Sequence, residues 1–214
     1  MDPLELYRRS LNEFTARATQ VSSDLWSAPT PCTDWSVYDL ISHVVSEDRW
    51  TARLIAGATI EEVGDELDGD LVGSDPAGAA LAAAAAADLA MSEPGALDRT
   101  VRLSAGPTPA VEYLRQLMTE HLVHAWDLAV AIRADPRLDA EVVHEASCWF
   151  VDRMRLYQEG NLIRPGIDVP AGAGEQDRLI ASFGRDPGWR PPRAAAPAGA
   201  TAPARATASV RAAG

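Results

Sequence analysis

Glu120 and His124 are the residues whose types and spacing most directly suggest chemistry. They lie in the stretch LMTEHLVHAWDL (117–128), where apolar residues recur at helical spacing. Because residues four apart lie one above the other on a helix, the carboxylate and the imidazole would share one face. Such a pair can bind one divalent metal, or it can be an ordinary hydrogen-bonded pair on a helix surface. A metal site therefore needs a third ligand from another element.

His43 is the candidate for that third ligand. It flanks the apolar stripe of a second predicted helix, about 35–55, and Asp39 stands one turn before it. With Glu120 and His124 it would form a His/Glu/His set that leaves one position open for water or substrate, as in catalytic zinc sites. Taken alone, His43 is equally well explained as a histidine that hydrogen-bonds to Asp39.

The roles of three further polar residues, Asp127, His121 and His144, are not determined by the sequence pattern alone, and each is considered with its structural alternative. Asp127 follows His124 by one turn and is a candidate to orient its imidazole, but helix–helix hydrogen bonding explains it equally well. His121 falls on the apolar stripe; we interpret it as a buried structural histidine, and a His121/His124 ligand pair stays open. His144 is interpreted as structural or surface-exposed.

Three arginines are candidates for contact with a substrate: Arg49 and Arg53 after His43, and Arg102. Of these we nominate Arg49, with Asp127, as catalytic, although a solvated surface position is the alternative for each. Cys32 near the start of the second helix is interpreted as a small buried hydrophobic residue rather than a nucleophile.

The composition indicates a cytoplasmic protein without nucleic-acid or membrane partners. The chain has 214 residues and a net charge of −12, and its 19 basic residues are all arginine. An acidic body repels nucleic acid and anionic lipid, and the absence of lysine excludes Schiff-base chemistry. Two cysteines, Cys32 and Cys148, make no disulfide framework. Whether the chain is a monomer or a homodimer stays open.

The periodicity of the chain predicts an all-helical domain over 1–189 and a disordered Ala/Pro/Arg-rich tail over 190–214. Five long helices are expected near 3–22, 35–55, 76–91, 108–134 and 139–158, with a short one at 175–184. An acidic, glycine-containing loop (57–75) is either a lid or a solvated connection. The piece 100–103 is a small strand or a connector. This pattern is typical of a helical bundle with long crossover loops.

Three segments give the sequence a family resemblance: TPCTDWSVYDLISHVV (30–45), EHLVHAWDLAVAI (120–132) and DRLIASFGRDPGW (177–189). They resemble blocks of the mycothiol-dependent maleylpyruvate isomerase N-terminal family, which belongs to the DinB-like four-helix metalloproteins. The resemblance implies a DinB-like four-helix bundle with its metal on His43, Glu120 and His124. It also implies mycothiol, a low-molecular-weight thiol, as cosubstrate.

These observations leave three functional hypotheses. The first is an enzyme that uses Zn²⁺, or Ni²⁺ or Fe²⁺, to activate mycothiol for isomerisation of, or S-transfer to, a small electrophile. The second is a hydrolase that uses metal-bound hydroxide, with Asp127 or His121 as general base. The third is a non-catalytic metal-binding or scaffolding bundle.

Overall fold

The computed structural model describes residues 2–160 and 163–192, which are mostly helical with one small antiparallel sheet. The helices are α1 (Pro3–Ala18), α2 (Val37–Ile55), α3 (Ile60–Val63), α4 (Pro76–Met91), α5 (Ala110–Ala131), α6 (Ala140–Val151), α7 (Met154–Glu159) and α8 (Glu175–Ser182). The strands are β1 (Thr100–Leu103) and β2 (Gly106–Pro109). Most of the predicted tail, 193–214, lies outside the described residues. Within the described part, no helix is long and apolar enough to span a membrane.

Local capping signals fix where the main helices begin. Ser36 accepts a hydrogen bond from the backbone N–H of Asp39, and the Asp39 carboxylate accepts one from the Ser36 N–H, which makes a capping box at the start of α2. Asp75 caps α4, with Pro76 at its first position, as the sequence predicts. Asp39 is therefore engaged at the cap and not on His43.

Helices α1, α2, α4 and α5 pack against one another. The most extensive packing is between α1 and α5 and between α2 and α4, while α1 also contacts α4 and α2 contacts α5. The alanine-rich helix α4 buries Ala80, Ala83, Ala84 and Ala87, whose small side chains permit a close approach to α2. The 22-residue helix α5 is the central element, since most of its residues are buried.

The structure shows the conformation of the two connecting segments. Residues 100–103 form β1, which pairs with β2 in a hairpin that leads directly into α5. The acidic loop 57–75 contains the short helix α3 and is fastened to α2. Tyr38 donates to Asp70 at 2.9 Å, Arg49 donates to the Leu71 carbonyl at 3.0 Å, and Arg53 pairs with Glu66 at 2.9 Å.

The single helix expected over 139–158 is two helices, α6 and α7. At the break, the Arg153 N–H bonds to the Phe150 carbonyl rather than to that of Trp149. The Arg153 guanidinium instead donates to the Trp149 carbonyl at 2.8 Å and also pairs with Glu112 on α5. The apolar periodicity continues across the break. It therefore gave no sign that the Arg153 side chain, and not a backbone N–H, would bond to the Trp149 carbonyl.

Candidate metal centre

The structure brings His43, Glu120 and His124 together. One ligand atom from each of these residues lies within 4.8 Å of the others, and His43 Nε2 is 3.3 Å from Glu120 Oε1. His43 comes from α2, whereas Glu120 and His124 lie one turn apart on α5. Two imidazoles and a carboxylate at this separation fit a divalent metal with one or more open positions.

These three side chains line a cavity of about 600 Å³. The side chains of His43, Glu120 and His124 are 22%, 31% and 7% exposed, so the cluster is accessible yet largely surrounded by protein. Aromatic and polar groups form the other walls, among them Trp35, Gln116, Thr119, Trp149, Tyr157, Arg164, Phe183 and Arg185. The volume falls in the range of small-molecule sites.

Trp35 forms the wall nearest to the two imidazoles. Its ring centroid is 4.8 Å from that of His43 and 6.2 Å from that of His124. The preceding turn holds it there, because the Thr30 N–H and hydroxyl both donate to the Trp35 carbonyl, at 3.1 Å and 3.0 Å. Asp34 has a φ of 71°, a left-handed conformation that aspartate tolerates better than most residues.

Asp127 determines which nitrogen of His124 is available to a metal. Its Oδ2 lies 3.0 Å from His124 Nδ1, and the carboxylate is fully buried. Burial raises the pKa of Asp127, but the Arg185 charge and the His124 hydrogen bond outweigh it and hold the pKa below its usual value. Because an ionised carboxylate only accepts, Nδ1 carries the proton and Nε2 keeps its lone pair. Burial also lowers the pKa of His124, which favours the neutral imidazole.

His43 and Glu120 stabilise each other's charge. Burial raises the pKa of Glu120, yet the hydrogen bond and charge of His43 bring it below its ordinary value. Burial lowers the pKa of His43, but the bond to Glu120 and the nearby Glu47 raise it overall. Burial, followed by the charge of Glu120, raises the pKa of Glu47, one turn after His43. The raised pKa values of His43 and Glu47 both indicate a negative electrostatic potential at the cluster, which suits a cation.

Arg185 is the main residue that the sequence analysis did not single out. Its Nη2 donates to Asp127 Oδ2 at 3.0 Å and to Cys32 Sγ at 2.9 Å. Cys32 also donates to Asp127 at 3.2 Å, so it is a polar partner and not only a small hydrophobic residue. Burial strongly raises the pKa of the Cys32 thiol, which keeps it protonated. Arg185 lies in the segment 177–189, and the family resemblance of that segment was the one sequence feature that could have indicated a role for Arg185.

Cys32, His124 and Asp127 form a second group whose ligand atoms lie within 4.8 Å of one another. The Arg185 guanidinium already provides a positive charge at this point. A second cation beside it would be repelled, so His43, Glu120 and His124 are the better candidate for a metal.

The nominated arginines do not reach the cavity. Arg49 donates to the Leu71 carbonyl, Arg53 pairs with Glu66 at 2.9 Å, and Arg102 lies on the exposed side of β1. None of them is among the residues that line the cavity. The expectation that Arg49 contacts a substrate is not supported by its position, because the loop 57–75 engages its guanidinium.

Neither His121 nor His144 is among the residues that line the cavity. His121 is buried and bonds to Asp48 at 2.9 Å, and His144 is exposed and bonds to Glu175 at 3.0 Å. The bond between Asp48 on α2 and His121 on α5 was not predicted from the sequence, because Asp48 lies outside the motifs.

Fold and site together define a mostly helical protein with a candidate metal centre in the lining of a cavity. Within that class, the chain belongs to the mycothiol maleylpyruvate isomerase N-terminal domain family, whose model matches residues 7–129. The family assignment confirms the resemblance found in the sequence.

Similar proteins with sequence data include two uncharacterized proteins, MT0763 and Rv0738, from two strains of Mycobacterium tuberculosis. Each is 36% identical to this chain over 145 residues, covering 68% of this chain and 75% of the relative. Among solved structures, a mycothiol-dependent maleylpyruvate isomerase superposes with a TM-score of 0.54 at 20% identity, covering 68% of this chain and 67% of that one. A histidine-to-alanine mutant of that enzyme gives 0.55 at 19% identity, with the same coverage. These structural matches establish a shared fold.

Proposed function

We propose that this chain is a metal- and thiol-dependent enzyme that acts on a small electrophile, with mycothiol as the thiol. His43, Glu120 and His124 would hold the metal, and Zn²⁺, Ni²⁺ and Fe²⁺ are the candidates. The observation that carries the proposal is the convergence of these three side chains, within 4.8 Å, on a cavity of about 600 Å³. The family supports mycothiol and isomerisation, and the proposed architecture is the DinB-like bundle formed by α1, α2, α4 and α5.

A divalent metal bound there would supply a Lewis acid that favours the thiolate form of a thiol near neutral pH. The residues of the chain prepare the site for it. Asp127 keeps the proton on His124 Nδ1, and Arg185 keeps Asp127 ionised. Trp35 covers the two imidazoles and restricts the access of water to that side.

The rest of the cavity suits a polar thiol and a small electrophile together. Gln116, Thr119 and Arg164 offer hydrogen bonds, while Trp149 and Tyr157 offer flat apolar walls. In an isomerisation, the thiolate sulfur forms a bond to one carbon of a cis double bond that is conjugated to a carbonyl group, and the π electron pair moves onto the carbonyl oxygen as an enolate. The former double bond is now single and rotates. The enolate electron pair then re-forms the double bond in the trans form while the carbon–sulfur bond breaks, which returns the thiolate. If the enolate takes up a proton instead, the thioether leaves as the product of S-transfer.

The contacts of the two nominated general bases favour thiol chemistry over hydrolysis. Asp127 is engaged by His124, Cys32 and Arg185, and His121 is buried with Asp48 and the Leu117 carbonyl. Neither has a free position from which to take a proton from water in the cavity.

The test is metal analysis of purified wild-type protein beside His43→Ala and His124→Ala, with His144→Ala as the matched control at a surface histidine. We expect one divalent metal per chain in wild type and His144→Ala, and loss of the metal in the other two. Mycothiol should then raise the thermal unfolding midpoint of the metal-bound protein only, because it binds the folded state. Metal retained in both His43→Ala and His124→Ala would contradict the proposed centre, and turnover of substrate with water alone would contradict the role of the thiol.

A further inference from the structure

Asp48 and His121 form a buried polar pair directly behind the candidate metal centre. His121 follows Glu120 on α5, and Asp48 lies on α2 five residues after His43. The side chains of His121 and Asp48 are 1% and 2% exposed, whereas those of His43 and Glu120 are 22% and 31% exposed. The pair therefore occupies the closed side of the interface between α2 and α5, and the metal ligands occupy the side that opens to the cavity.

The hydrogen bonds of His121 hold its imidazole in one orientation. Nδ1 lies 2.6 Å from the Leu117 carbonyl oxygen, which only accepts, so Nδ1 carries a proton. Nε2 lies 2.9 Å from Asp48 Oδ1, and Tyr7 and Phe14 meet the ring edge to face. The ring thus has a partner at each nitrogen and aromatic neighbours around it, and it can shift only if α2 or α5 shifts.

Side-chain hydrogen bonds cross the interface between α2 and α5, which is less extensive than the interfaces of α5 with α1 and of α2 with α4. Between α2 and α5, hydrogen bonds join Asp48 to His121 and Thr51 to Tyr113, in addition to the contact of His43 with Glu120. The Asp48–His121 bond is on the ligand-bearing turn of α5, and Thr51–Tyr113 lies two turns away along that helix.

From this placement we infer that Asp48 and His121 are positioning residues, which fix α2 against α5 so that His43 reaches the same point as Glu120 and His124. The inference rests on the proposed metal centre. Residues that contact the metal ligands, without binding the metal themselves, hold those ligands in coordinating geometry. Loss of such residues typically weakens metal affinity. Since neither Asp48 nor His121 is among the residues that line the cavity, the pair would act through the ligands and not by contact with a substrate.

The decisive variant is Asp48→Leu combined with His121→Phe. It replaces both buried partners with apolar groups of similar size and leaves neither partner unpaired, so the fold should persist. We expect Co²⁺ titration of this metal-free variant, followed by visible absorption, to show an affinity at least about tenfold below wild type, with altered absorption bands. Asp48→Asn retains a group that can hydrogen-bond to the imidazole, and it should restore affinity close to that of wild type.

Tyr113→Phe is the matched control, since it removes the other buried bond between the same helices. It should lower the urea midpoint of unfolding and leave Co²⁺ affinity unchanged. If the double variant does not fold, Asp48→Ser, whose short hydroxyl cannot span the distance, takes its place with the same expected loss of affinity.

The outcomes separate the two proposals. Wild-type affinity in the folded double variant, or an equal loss in Tyr113→Phe, overturns the positioning role and leaves the metal centre intact. Failure of wild type itself to bind Co²⁺ or Zn²⁺ overturns the metal centre, and the positioning role with it.

Discussion

The two ring nitrogens of His124 face different environments. Nδ1 meets the buried Asp127 carboxylate at 3.0 Å, while the imidazole also lies in the cluster with His43 and Glu120. Arg185 completes the arrangement, because its guanidinium donates to the same Asp127 Oδ2 and compensates the carboxylate charge. At this scale the chain shows a carboxylate–histidine arrangement of the kind that orients metal ligands.

Asp127→Asn should weaken metal binding while leaving all three proposed ligands in place. The amide loses the charge that attracts the Nδ1 proton, so the tautomer with a proton on Nε2 becomes accessible and competes with the metal. We expect Zn²⁺ affinity, measured by competition with a chromophoric chelator, to fall by about 10- to 100-fold. Asp135→Asn, which removes a charge from an exposed pair with Arg137, serves as control. Equal affinity in wild type and Asp127→Asn would refute the orienting role.

At the scale of elements, α4 shows how composition sets helix spacing. Ala87 is fully buried, and its neighbour Ala86 is exposed. The low bulk of the buried face lets α4 lie close to α2, the helix that carries His43.

Ala87→Leu should therefore destabilise the protein by about 1–3 kcal/mol, because the added atoms have no space between packed helices. Ala86→Leu should change stability by no more than about 0.5 kcal/mol, since the new side chain projects into solvent. Urea denaturation followed by circular dichroism measures both. A similar loss in the two variants would mean that helix propensity, and not packing, controls this element.

The sequence predicted the helices and the proximity of His43, Glu120 and His124 better than it predicted the cavity. Glu120 and His124 sit on one helix, so their spacing alone places them together, and His43 was found by its position beside an apolar stripe. Arg185 and Trp149 come from later segments, and their approach depends on how those segments pack, which periodicity does not encode. Arg49 was nominated because it follows His43 on α2, but the loop 57–75 binds it, and that contact has no local signal.

For the molecule as a whole, the residues after 129 complete the site. The family match ends at residue 129, yet Trp149, Tyr157, Arg164 and Arg185 line the cavity. Salt bridges attach this later part to the core: Arg9 pairs with Asp139, and Arg153 pairs with Glu112.

Asp139→Asn should lower stability at neutral pH and have little effect in acid. Burial raises the pKa of Asp139, but the hydrogen bonds from Arg9 and from backbone N–H groups outweigh it, so the folded pKa is below the ordinary value. A lowered pKa contributes stability above the unfolded pKa of about 3.9, and that stability is lost as pH falls through the folded value. Asparagine still caps α6, so the variant isolates the charge.

The check is the difference in urea midpoint between wild type and Asp139→Asn at several pH values. The difference should be largest near pH 7 and should shrink below the unfolded pKa. A difference that stays constant with pH would show that the carboxylate charge contributes nothing.

Gly184 lies at the rim of the cavity, beside Arg185, with a φ of +74°. A Cβ at this position would lie 2.5 Å from the Cβ of Arg164 and 2.9 Å from the Pro165 carbonyl oxygen. Two stretches of main chain therefore meet here without room for any side chain. Divergence in substrate preference among related proteins with this geometry would arise from lining side chains, such as those of Arg164 and Tyr157, and not from position 184.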